Sequence, residues 1–156
     1  MNPNIPGLQI VEQLIQAASV ALTGGVAETV LATLPLPAGL IGPNGEIEIE
    51  YDMTETNNAN NKTVTVRLGG LTGTALLTHT ANTLAGRAGR MCMRQRNANN
   101  SQQWNGTTFT AAAIALSRGT GAVNLSADSS IVITGTLANA GDTLTLESCK
   151  IRAYKQ

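Results

Sequence analysis

The residues best suited to chemistry are carboxylates set in a row. In "EIEIEYDMTE", Glu46, Glu48, Glu50 and Asp52 alternate with Ile47, Ile49, Tyr51 and Met53. A strand here would carry all four acids on one face, with successive acids about 7 Å apart. That is close to the separation at which two carboxylates serve as general acid and base on a glycosidic bond, and a row of oxygens also suits calcium. No member of the row is marked for a raised pKa, so a solvated outer sheet face is the better reading. A basic counterpart lies in "RAGRMCMRQR", where Arg90, Arg94 and Arg96 share one parity and Arg87 is close by. Acids facing bases across strands or subunits set register and partner choice, at ~0–1 kcal/mol per exposed pair. Glu48, Glu50, Arg94 and Arg96 are therefore the expected polar register contacts, in part between neighbouring chains.

Other chemistry has weaker support. His79 is the only histidine, and "LLTHTAN" gives it neither a nucleophile elbow nor a cysteine signature; an ordinary strand-end residue is expected. "RLGGLTGTA" lacks the Gly-Lys-Ser/Thr ending of a phosphate loop, and "GRAGR" carries arginines without interleaved aromatics. Cys92 and Cys149 have no neighbouring Cys or His at zinc spacing, so buried free thiols are expected, and no metal or other cofactor. Trp104, in "NNSQQWNGTT", is a possible glycan contact if it sits exposed on a polar loop, where an indole can stack on a sugar ring; folding over the sandwich edge is the plainer alternative.

These side chains need a scaffold of strands. Residues 18–156 read as period-two segments: "SVALT", "ETVLATLPL", the acid row, "TVTVRL", "TALLTHT", the arginine segment, "SSIVITGTL" and "TLTLESCKIRAY", with "TTFTAAAIALS" a small-residue strand or loop. That gives about eight or nine strands at the short, regular spacing of an all-β antiparallel sandwich or barrel. "NNANN" (57–61) and "NANNSQQWNG" (97–106) read as loop tips, because Asn tolerates left-handed backbone and bonds its own main chain. Residues 1–17 stand apart. Leu8, Val11, Leu14 and Ile15 fall at roughly helical spacing after Pro3, Pro6 and Gly7, which suggests an arm or a short helix, packed on its own domain or docked on a partner.

Bulk composition narrows the partners. Ten basic residues balance ten acidic ones, so no overall field attracts nucleic acid or an anionic membrane. Charged residues are 13% of the chain, against ~25% in an average domain, and zero net charge favours association. No apolar run approaches the ~20 residues that span a bilayer, and the N-terminal stretch lacks the basic and apolar regions of a secretory signal. Synthesis in a cytoplasm is expected.

The order of pieces is itself informative. "ALTGGVAETVLATLPLPAGLIGPNGEIEIEY", "TNNANNKTVTVRLGG", "MRQRNANNSQQW" and "IVITGTLANAGDTLTLESCKIRAYKQ" resemble, over residues 20 to 156, a group of short β-sandwich structural proteins of tailed bacteriophages. These serve as head decoration or cement proteins and as parts of tails and fibres. The resemblance implies an antiparallel β-sandwich of jelly-roll type in a non-enzymatic virion protein, made in the bacterial host cytoplasm, that binds the major capsid protein as a homo-oligomer (dimer or trimer) and reinforces the shell, with Leu8, Val11, Leu14 and Ile15 as the arm's capsid or subunit contacts. The alternative is a tail or head-spike module that recognises cell-surface glycan. It implies no catalytic residues.

Overall fold

A computed structural model describes residues 9–111 and 113–156. It contains eleven strands: β1 (Gln9–Gln16), β2 (Val20–Thr23), β3 (Thr29–Leu36), β4 (Glu46–Glu55), β5 (Lys62–Leu68), β6 (Thr74–Ala81), β7 (Gly86–Gln95), β8 (Gln102–Phe109), β9 (Ile114–Gly121), β10 (Ser129–Leu137) and β11 (Thr143–Lys155). They form two antiparallel sheets. The large one runs β1-β11-β4-β7-β8-β9, with β2 on the same side of β11 beyond β1; the small one runs β3-β10-β5-β6. The chain passes repeatedly from one sheet to the other, giving the expected all-β sandwich of jelly-roll type.

Alternation explains why these segments pair as they do. Ile47, Ile49, Tyr51 and Met53 of β4 face inward with Leu144, Leu146, Ile151 and Ala153 of β11 and Met91 and Met93 of β7. Val64, Val66 and Leu68 of β5 and Ile131 and Ile133 of β10 meet them from the small sheet. A one-residue slip would exchange this apolar set for acids and bases, so the buried face fixes the register. Each such aliphatic side chain contributes ~1.5–3 kcal/mol on burial, and together they make one core between the sheets.

Three sequence expectations change. Residues 9–16 are not a helix but an edge strand paired with β11, and a bulge at Val11 explains the misleading spacing. One extra residue shifts the strand's parity, so Val11 and Leu14, three apart, both pack on the domain's own core. Second, "NANNSQQWNG" is only half a loop, because β8 begins at Gln102. Third, "TTFTAAAIALS" is a hairpin: β8 ends at Phe109, a turn bonded from Thr110 N to Ala113 O intervenes, and β9 begins at Ile114. Strand count therefore rises above the eight or nine expected.

Candidate functional site

The outer face of the large sheet carries the acid row, and cross-strand pairing places it between bases. In register, one row across the sheet reads Ile15, Lys150, Glu50, Arg90, Thr107 and Leu116. Glu50 binds both flanking cations, Arg90 at 2.6 Å and Lys150 at 2.6 Å. The Lys150 hydrogen bond, with help from Arg90, holds the Glu50 carboxyl below the usual carboxylate range. Glu46 pairs with Arg94, and Glu48 accepts a hydrogen bond from the Tyr154 hydroxyl at 2.6 Å. The expected polar register contacts at Glu50 and Arg94 thus find partners within the chain, across β4, β7 and β11. Arg96 lies just past β7, exposed, with its backbone N–H bonded to Ser101 O.

Beside this charged row the neighbouring positions shrink to Ser148, Asp52 and Ala88 before ending at Phe109. Small side chains between larger ones leave an open groove of about 600 Å³. Ile15 and Ala17 border it on one side and the half-exposed Phe109 ring on the other; Glu50, Asp52, Arg90 and Lys150 supply its charge. An aromatic face beside carboxylates, a guanidinium and an ammonium can stack on a flat ligand and hydrogen-bond its edge. Acid–base chemistry needs one carboxyl held protonated, and the carboxyl shift resolved in this groove, at Glu50, runs the other way.

Of the expected arm contacts, Leu8 lies outside the described residues. Val11 and Leu14 are partly buried against the domain's own core, while Ile15 is 61% exposed and lines the groove. Trp104 does not project from a loop. It points inward from β8, 8% exposed, with its indole against Gly119 and Gly121 of β9, so it cannot stack on an external sugar. Phe109, which sequence reasoning passed over inside "TTFTAAA", is the exposed aromatic instead; only the hairpin's alternation could have singled it out.

Both asparagine clusters tie surface turns to the rest of the domain. Lys62 is fully buried, and its ammonium donates to Asn58 Oδ1 and to Asn60 O at 2.9 Å, 3.8 Å from the Asp142 carboxylate. Asn58 and Asn60 also donate to Asp142, at 2.6 and 2.9 Å, which keeps that carboxyl below its ordinary range. In the second cluster Asn97 takes a left-handed turn conformation (φ 59°). Asn99 O accepts from Gln95 Nε2 at 3.2 Å and from Leu125 N at 2.8 Å, tying the β7–β8 turn to the chain before β10.

A second buried group stands next to Lys62. The Arg87 guanidinium pairs with Glu55 and donates to Lys62 O at 2.9 Å, His79 O at 2.8 Å and His79 Nδ1 at 2.9 Å. As acceptor of that bond, His79 is neutral, and burial together with Arg87 pushes its pKa down. It is a structural residue on β6, as the sequence suggested. Cys92 and Cys149 are free thiols on opposite faces of the large sheet; Cys149 is buried, and half-buried Cys92 is pushed up to about 12 by desolvation and the nearby Glu46. Among the described residues no group of three or more His, Cys, Asp or Glu could hold a metal ion.

No family model matches the chain, and no curated protein does. Among solved structures it is similar to the basic winged bean lectin with Tn-antigen: 10% identity, TM-score 0.47, covering 94% of this chain and 91% of that one. Peanut lectin with a nine-residue peptide gives 8% identity and TM-score 0.45 over 100% and 95% of the two chains. The VP2 subviral particle of infectious bursal disease virus gives 11% identity and TM-score 0.34 over 98% of this chain and 38% of that one. At such identities and scores nothing about ligands passes from those proteins to this chain, whose architecture rests on its own strand pairing.

Proposed function

We propose that this chain is a non-enzymatic recognition module that takes a carbohydrate in the groove on the outer face of its large sheet. The observation that carries this is the juxtaposition of the exposed Phe109 ring with Asp52, Arg90 and Lys150 around a floor of small residues. The ring supplies an apolar face for a pyranose and the charged groups bind its hydroxyls, while Glu50, held by two cations, keeps those groups oriented. The resemblance to phage structural proteins favours a virion as its place and a bacterial surface polysaccharide as its target.

A second reading, reinforcement of a phage shell through the major capsid protein, is favoured by Ile15, a large aliphatic side chain left 61% exposed on the first strand. Titration of the purified protein against a panel of bacterial surface glycans, and separately against bare phage shells, distinguishes the two. The groove reading expects saturable glycan binding that weakens at least about tenfold in Phe109→Ala, roughly the value of one aromatic contact. Glycan binding unchanged in Phe109→Ala, or saturation of shells with no glycan bound, overturns it.

A further inference from the structure

The sheet edges are not alike: the four-residue β2, which continues the β1 edge, is protected by its shortness, and the longer edge strands differ. β1 carries a bulge at Val11, β6 a bulge at Leu76, and β3 both a bulge at Leu31 and Pro35, which has no N–H to offer. Bulges and prolines are the devices by which sandwich proteins keep their edges from pairing with other chains. β9 has neither. Its eight residues pair with β8 in unbroken register from Ile114 to Gly121, and its far side is the end of the sheet. The bulged Leu76 carbonyl on the facing edge is taken by Ser117 Oγ at 3.0 Å, a side-chain tie, and among the described residues β9 makes no backbone hydrogen bond beyond its ladder with β8.

This undefended edge is also where exposed apolar side chains collect. Leu116 is 73% exposed, Ile114 66% and the adjoining Phe109 44%, with Ile114 and Phe109 directly paired across β8 and β9. The strand is self-complementary. Turned about a two-fold axis through Leu116, normal to the sheet, a second β9 lies antiparallel with Leu116 against Leu116. Ile114 then meets the aliphatic stem of Arg118. That arginine is the only charged residue in the strand, and the two copies of it fall at opposite ends of the pairing. No like charges meet, and the whole chain has no net charge to oppose association.

We infer that two copies of this chain associate by antiparallel β9–β9 pairing centred on Leu116, joining their large sheets into one continuous sheet. Antiparallel extension keeps the outer faces on the same side, so both grooves open in one direction and a repeating ligand can be held at two points. The association itself is independent of what the groove binds, and is measured with no ligand present.

The test is sedimentation of the full chain at micromolar concentration, with Leu116→Arg and, on the opposite edge of the same sheet, Ile10→Arg. The expected result is a dimer whose dissociation constant rises by about a hundredfold or more in Leu116→Arg, since two charges then meet at the axis, while Ile10→Arg sediments as the parent does. Circular dichroism confirms that each variant is folded. Mild oxidation of Leu116→Cys in a Cys92→Ser background is expected to give a covalent dimer, because directly opposed residues bring Cα atoms within about 4.5–5.5 Å, and Thr120→Cys is expected to give none. A monomeric parent, a dimer indifferent to Leu116→Arg, or cross-linking at position 120 in preference to 116 each overturns the inference.

Discussion

Replacing Arg87 with Met tests how the two sheets are held together. The Arg87 and Glu55 side chains are both 0% exposed, and the guanidinium also serves the Lys62 and His79 carbonyls and His79 Nδ1. Removing it leaves one buried carboxylate and two buried carbonyls without that donor, a loss of about 3–5 kcal/mol for a broken buried pair. At roughly 2–4 °C per kcal/mol in a domain of this size, the melting temperature falls by about 6–20 °C. The loss should depend on pH. Burial already lifts the Glu55 carboxyl above its ordinary range against the pull of Arg87, and without Arg87 only the weaker pull of Lys62 opposes it. The folded variant then binds a proton that the unfolded chain releases, so its stability falls as pH rises and the deficit is smaller near about pH 5 than near about pH 8. Arg87→Met with Glu55→Met removes both charges and should recover most of the loss. Urea unfolding followed by fluorescence of the single, buried Trp104 reads all three proteins. A single variant within about 1 kcal/mol of the parent, or a double variant no better than the single, refutes the reasoning.

Two further outcomes follow from the same interior. Because His79 has a lowered folded pKa, its neutral form contributes stability that is present above about pH 6.5 and lost as pH falls below it, a window distinct from the one below about pH 4 governed by Glu28, Glu50 and Asp142. His79→Asn keeps an acceptor but cannot titrate, so the decline of urea midpoints between about pH 7 and pH 5 should flatten; a decline parallel to the parent's refutes this. A Cβ on Gly119 would press well inside contact distance of the Trp104 indole, so Gly119→Val should cost about 1–3 kcal/mol and shift the Trp104 emission. Gly25, with open space around it, should accept Val without either effect, as read by the same fluorescence titration.

What the sequence reveals depends on whether a residue's environment is local. Strict alternation in "EIEIEYDMTE" announced β4 with its boundaries, because one-sided burial of a strand is written in its own period, whereas "SSIVITGTL" announced β10 by a short β-branched run that is buried on both faces. Val11 and Leu14 imitated a helix because a bulge is decided by the partner strand, β11, more than a hundred residues away. Trp104 looked exposed among polar neighbours, since the space that receives its indole is made by the missing side chains of Gly119 and Gly121 on the next strand. The asparagines of "NNANN" read correctly as a turn, yet their second task, holding the Lys62 ammonium against Asp142, depends on a residue from the distant β10–β11 turn. The groove was the least legible feature. It arises from what is small at Ala88 and Ser148, and sequence patterns advertise large or charged residues.

The division between interior and exterior bears on function. Jelly-roll sheets held only by aliphatic contacts tolerate sliding, because hydrophobic attraction has no direction. Here Arg87 reaches from the large sheet to the β5 and β6 carbonyls, and Asp142 ties the β10–β11 turn to the loop before β5, so directional bonds at one end fix how the sheets lie over each other. With alignment set from within, the outer face of the large sheet contributes little to stability beyond pairs worth ~0–1 kcal/mol each. Residues such as Arg90, Asp52, Phe109 and Leu116 are then free to be chosen for what they touch outside the domain. Substitution at these positions should change binding or association far more than folding, the reverse of what Arg87, Lys62 and Gly119 should show.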